Sequence, residues 1–152
     1  MRVDAPRLED RLGPLEPPYR SRGEAQIGRV LDRYGVPFFY EQPLVVYDRG
    51  RYRTWHPDFT LPRHGGLIVE YAGMMDIPDY AQGIEHKKGA YATNDVAAIF
   101  VYPEDLARRA WPDRLLERIE RAYRGITASM DDLPKPPSTE YPATSSARPR
   151  YR

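Results

Sequence analysis

The chain contains no cysteine, which excludes disulfides and thiolate zinc sites and suits a reducing compartment. It has no run of about 18 apolar residues, the length that spans a bilayer, and no charged-then-apolar leader. The expectation is a cytoplasmic protein, of a bacterial or phage-type intracellular kind, with no membrane partner. A strong charge of one sign is also missing, since 23 basic residues stand against 22 acidic ones for a net charge of +1. Such a balance gives no global pull on nucleic acid, so any polyanion site must be local. Lysine is scarce. Lys87, Lys88 and Lys135 are the only three, and two of them are adjacent.

What remains is 152 residues, enough for one domain with a real core. Residues 1–20 are charged and broken by proline, which predicts a flexible N-terminal arm. Residues 127–152 become rich in Pro, Ser and Thr with few apolar groups, which predicts a disordered, weakly basic tail. The domain proper is expected over 21–126.

Inside it, Ser21 and Gly35 bracket a capped helix at 21–34. Aromatic and β-branched residues predict strands at 37–47 and 51–61 around the turn Asp48-Arg49-Gly50. "GLIVEYAG" at 66–73 and "DVAAIFVY" at 95–102 read as strands buried on both faces, with a helix at 79–92 between them. Two closing helices are expected on either side of Pro112. This order implies an α/β fold: a three-layer sandwich with a mixed central β-sheet flanked by helices.

Two apolar runs in "WHPDFTLPRHGGLIVEYAG" each carry one acid, Asp58 and Glu70. If they form a hairpin turning near His64, Asp58 and Glu70 face one another. Directly opposed side chains have Cβ atoms roughly 4.5–5.5 Å apart. Two carboxylates at about 5 Å repel by roughly 3 kcal/mol at an effective dielectric near 20. A shared proton, a basic partner or a hard divalent cation must offset that repulsion. The plainer alternative is that each acid pairs with an arginine on an exposed edge.

The helices add to the pair. At about 100° per residue, Tyr80, Ile84, Lys87 and Tyr91 share an apolar face, so Lys87 should point at the sheet and Lys88 at the flank. Glu24 shares a face with Ile27, Leu31 and Tyr34. Ser21-x-x-Glu24 also matches a capping box, which accounts for Glu24 without chemistry. Lys87, likewise, could snorkel to solvent. Arg114, Arg118, Arg121 and Arg124 form a stripe on the last helix, flanked by Glu117 and Glu120, that reads as a solvated face. Arg51, Arg53 and Arg63 are expected to flank the site. His56, His64 and His86 have no metal-motif spacing and receive no catalytic role. No helix-turn-helix or zinc-finger signature is present.

These pieces resemble the PD-(D/E)XK nuclease superfamily, whose members share the restriction-endonuclease-like core. The matching stretches are "SRGEAQIGRVLDRYGVPFFYEQPL", "HPDFTLP", "IVEYAG", the Tyr80-x6-Lys87-x3-Tyr91 spacing and "VAAIFVYPEDL", together roughly residues 21–106. The layout is also similar to the small phage junction-resolving endonucleases of that superfamily. The resemblance implies that Asp58 and Glu70 bind metal and that Glu24 is the acid contributed by the first helix. The E-x-K lysine of the family falls here at Ala72. In some branches it migrates to the following helix, where Lys87 stands. The resemblance further implies Mg²⁺, with Mn²⁺ able to substitute, held by Asp58, Glu70 and the Tyr71 backbone carbonyl. Glu24 would serve a second ion or a metal-bound water. Endonucleolytic hydrolysis of DNA phosphodiesters to 5′-phosphate products is the implied reaction. RNA and a homodimer stay open.

Two other expectations compete. One is a catalytically inactive nucleic-acid-binding or assembly module with the same fold. The other is an acid-rich structural domain indifferent to divalent ions.

Overall fold

The computed structural model describes residues 19–131. Helix α1 spans Arg22–Arg33 behind the N-cap Ser21, whose Oγ accepts the Glu24 amide at 3.1 Å. It ends where Gly35 takes a φ of 67°, a left-handed turn that glycine enters without strain. Glu24, Ile27 and Leu31 are buried as the periodicity requires. Tyr34 is not: as the C-cap residue it leaves the helical path and is exposed.

Each of the two long strands expected next is broken in two. The first gives β1 at Phe39–Tyr40 and β2 at Leu44–Asp48, parted by Glu41 with φ 52° and by Pro43. The second gives β3 at Arg51–Trp55 and β4 at Phe59–Leu61, parted at Pro57. A proline cannot donate to a ladder, so both breaks mark a change of sheet. β2 and β3 pair only with each other, as an antiparallel ribbon closed by Arg49 and Gly50. Both turn residues have positive φ, 50° and 79°, as a two-residue primed turn demands.

The remaining strands are β5 at Leu67–Tyr71 and β6 at Ala98–Val101. They complete a mixed four-stranded sheet of order β1-β4-β5-β6, antiparallel except for the β5–β6 pair. Parallel neighbours need a long crossover. Helix α2, Pro78–Thr93, supplies it.

Helix α3, Pro103–Leu106, and helix α4, Trp111–Asp131, close the chain. The gap between them falls at 107–110, not at Pro112. Pro112 is the second residue of α4, where its missing N–H leaves no bond unmade. α4 runs past the boundary expected at residue 126. At the other end Tyr19, expected in a flexible arm, packs against Phe59 and Tyr40. The rest of the predicted arm and tail lies outside the described residues.

Strand alternation divides the core. Leu67 and Val69 face α1 and α4 through Ile27, Leu31, Leu115 and Ile119. Ile68 and Phe100 face α2 and the ribbon through Ile84, Tyr91 and Val46. Burying an aliphatic side chain of this kind contributes about 1.5–3 kcal/mol. The α2 face is the one on which Glu70 also points. No helix among the described residues is long and apolar enough to cross a membrane.

Candidate active site

Glu70 is the fourth residue of β5, and alternation sends it to the α2 side, where it is 3% exposed. A buried carboxylate needs partners. Tyr91 donates its phenol to Oε1 at 2.6 Å, and Lys87 Nζ stands 3.4 Å from Oε2. Both partners come from the face of α2 that carries Ile84. Lys88, one residue on, turns away to Glu85 at 3.3 Å and lies over the rings of Phe100 and Tyr102.

The hairpin register pairs Phe59 with Val69, Thr60 with Ile68 and Leu61 with Leu67. Continued one step, it sets Asp58 opposite Glu70, the juxtaposition expected from the Gly-Gly turn. Asp58 lies just before β4, and its carboxylate, not its backbone, bridges the strands. Oδ2 accepts the Tyr71 amide at 2.7 Å. Burial and the Glu70 charge push the Asp58 carboxyl up to about 8, with Glu24 adding to the rise; the Tyr71 amide and Lys87 pull the other way. Asp58, Glu70, Glu24 and Lys87 therefore share one electrostatic field.

Within that field Glu24 stands slightly apart. It is 6% exposed, and its oxygens take the hydroxyls of Ser21 and of Tyr40, the latter at 2.8 Å. Half of the expected capping box is present, the Glu24 amide on Ser21 Oγ. In place of the other half, the carboxylate is bound by hydroxyls. Burial, with the neighbouring Glu24, holds the Tyr40 phenol well above its usual range, so it stays a donor. The Tyr71 carbonyl accepts a long bond from the Tyr80 hydroxyl, 3.4 Å, and Tyr80 Oη in turn receives the Gly73 amide at 3.1 Å.

The tyrosines are what a reading of the acids alone passes over. Tyr80 and Tyr91 were visible as positions on the Lys87 face, but their hydroxyl partners were not. Tyr40 carries no periodic signal, because its approach to Glu24 depends on the kink at Glu41. Arg63 also differs from expectation: it lies in the Pro62–His64 turn, at the far end of the hairpin from Asp58 and Glu70. Arg118 leaves the arginine stripe to bind the Phe100 carbonyl at 2.9 Å.

An open cleft of about 320 Å³ reaches Glu70 and Lys87 of this group, lined also by Thr54, Trp55, His56, Pro57 and Tyr91. Among the described residues no three of His, Asp and Glu converge on one point. Asp58, Glu70 and the Tyr71 carbonyl are nonetheless an all-oxygen donor set. Mg²⁺ takes such sets with only one or two carboxylates, because it keeps several waters. Burial and the Glu70 charge raise the Asp58 carboxyl, and a cation there would favour its ionised form. No family model, curated protein or solved structure matches this chain.

Proposed function

We propose that the chain is a metal-dependent endonuclease with a three-layer, restriction-endonuclease-like core, a member of the PD-(D/E)XK superfamily that hydrolyses DNA phosphodiesters in the cytoplasm. The supporting observation is the juxtaposition of Asp58 and Glu70 across one hairpin, with Lys87 delivered to Glu70 by the crossover helix. A structural ion pair would need neither a second, half-buried acid facing Glu70 nor the cleft that opens on both Glu70 and Lys87.

Asp58, Glu70 and the Tyr71 carbonyl would hold Mg²⁺ or Mn²⁺. When bound, the ion supplies Lewis-acid polarisation of the phosphate and lowers the pKa of water. The side chains do the rest. Tyr91 fixes Oε1 of Glu70, which keeps Oε2 aimed at Lys87. Lys87, a compact cation, orients the attacking water and stabilises the charge that builds on the phosphate oxygens. Asp58 has to give up its proton before it can bind the ion, which ties activity to pH. Glu24, held by Ser21 and Tyr40, adds negative charge behind Asp58 and is placed for a second ion or a metal-bound water.

One feature favours a different reading. The position that carries the family lysine is Ala72, fully buried, as in a nucleic-acid-binding module that kept the fold and lost the chemistry. Purified protein incubated with supercoiled plasmid and a branched junction, in Mg²⁺, Mn²⁺ or EDTA, separates the two. Metal-dependent cutting lost in Glu70→Ala and Lys87→Ala supports the nuclease. Binding without cutting by the intact chain supports the module.

A further inference from the structure

The β2–β3 ribbon has two unlike faces. Its inner face is fastened to α2. Val46 is fully buried, and Trp55 meets Tyr91 edge-on at 5.5 Å. Asp48, 9% exposed, accepts His86 Nε2 at 2.9 Å and lies 3.8 Å from Arg53. Asn94 binds the edge of β2 as a strand would, accepting the Tyr47 amide at 2.8 Å and donating to the Tyr47 carbonyl at 2.9 Å.

The outer face binds nothing among the described residues. Val45, Tyr47, Tyr52 and Thr54 project from it, with Tyr52 77% exposed and Val45 64%. Tyr47 and Tyr52 are cross-strand partners, their rings 5.1 Å apart and edge to face. At the tip, Arg49 in the turn and Arg51, which shares the Asp48 face of the ribbon, are exposed and form no ion pair among the described residues. Asp48 is the one acid between Leu44 and Trp55, and it points inward to partners. The exposed face of the ribbon is therefore aromatic, with two arginines at its tip and no acid of its own.

A cross-strand tyrosine pair by itself modestly stabilises any hairpin. That does not explain unpaired arginines beside it, or the direction of β3. β3 runs from the tip straight into the cleft wall, where Thr54 and Trp55 lie beside Glu70 and Lys87. β3 thus leads a polyanion held at the tip towards the wall of the cleft.

We infer that the β2–β3 ribbon is the DNA grip of this protein: Arg49 and Arg51 bind phosphates of the duplex flanking the cut, and Tyr47 and Tyr52 pack on its sugars and base edges. This rests on the nuclease reading for the position of the cut. A two-stranded ribbon is the β element that a major groove admits. At about 3.3 Å per strand residue, the tip is about 13 Å from Trp55, or about four base pairs at 3.4 Å each. The grip therefore reads DNA about four base pairs to one side of the scissile bond.

The test uses the full chain and a fluorescein-labelled duplex. Arg49→Asn with Arg51→Gln removes both tip charges, and Asn tolerates the left-handed turn position. Tyr52→Ala removes the most exposed ring. Binding is measured by anisotropy in a Glu70→Ala background, and KM and kcat are measured in the active chain. The arginine pair should weaken binding about tenfold and flatten the salt dependence of log K by about 1.8, two phosphate contacts' worth. KM should rise while kcat and the melting temperature hold. Tyr52→Ala should weaken binding without changing the salt slope. Unchanged binding and KM in both variants overturn the grip, and if the intact chain still cuts, the nuclease reading stands without it. An intact chain that never cuts, but loses DNA when the ribbon is altered, keeps the grip and overturns the nuclease. Failure of the intact chain to bind DNA overturns both.

Discussion

Tyr91 donates a 2.6 Å hydrogen bond to Glu70 from within the same buried cluster, so the acid at the centre of the site is positioned by a neutral group from the crossover helix. Burial and the charge of Glu70 hold the Tyr91 phenol far above its usual range. The phenol is therefore held in its donor form beside Glu70. Lys87 then approaches the other oxygen.

Tyr91→Phe keeps the ring against Trp55 and Phe100 and removes only the donor. A hydrogen bond to a charged group contributes about 1.5–3 kcal/mol, so unfolding by urea should show a loss in that range. The Mg²⁺ concentration for half-maximal cutting should rise, because Glu70 is no longer fixed. An unchanged Mg²⁺ requirement would mean that Tyr91 is only a packing residue.

Asp58 makes stability depend on pH with a definite sign. Its carboxyl is raised from 3.8 to about 8, first by burial and then by Glu70. The contribution is fully present below the unfolded value and is lost as pH rises through about 8. In EDTA, Asp58→Asn should therefore gain melting temperature relative to the parent between pH 4 and pH 9. Mg²⁺ should restore the parent at high pH and leave Asp58→Asn unmoved. Scanning fluorimetry across that range checks both, and parallel pH curves for the two proteins would contradict it.

Lys87 and Lys88 are separated by one residue and by their surroundings. Lys87→Ala should lower kcat by about 10²–10³, the usual loss for a group that stabilises transition-state charge. Lys88→Ala removes an exposed pair with Glu85 and the contacts over Phe100 and Tyr102, and should cost about 1 kcal/mol of stability with cutting intact. Single-turnover plasmid cleavage distinguishes them. Equal losses would show that the helix face was assigned wrongly.

Asn94→Ala should loosen the ribbon without touching the site. It removes the two bonds to the Tyr47 backbone and one to the Ala90 carbonyl at the end of α2, each contributing about 0.5–1.5 kcal/mol. Amide exchange should speed up across β2 and β3 while β5 stays protected. Uniform loss of protection would show the ribbon and the sheet to be one cooperative unit.

Much of the candidate site's geometry was legible in the sequence because β5 is nearly all apolar, so its single acid stood out, and because the Gly-Gly turn set the hairpin register. Lys87 was legible from helical spacing with Ile84 and Tyr91. The strands were not, for a local reason: Pro43 and Pro57 lie inside runs of otherwise good strand formers, and the runs were read through them. The ribbon's existence as a second sheet followed from those two prolines. Pro112 erred the other way, read as a break where it begins a helix. Tyr40 on Glu24, and Asn94 on Tyr47, join residues far apart in sequence through side chains, and no periodicity announces such pairs.

β1 and β4 are neighbours in the sheet, yet the whole ribbon lies between them in the chain, and the Glu41 amide closes the excursion on the Asp58 carbonyl at 3.1 Å. Residues 42–57 thus leave and rejoin the sheet at a single gate. A loop that departs and returns at one point can change length at little entropic cost, about 0.6 kcal/mol for each doubling. The segment should behave as an exchangeable cartridge: a ribbon of different length or sequence, spliced in at Glu41 and Asp58 with side chains like Val46 and Trp55 still seated against α2, should leave the register that sets Asp58 against Glu70 unshifted.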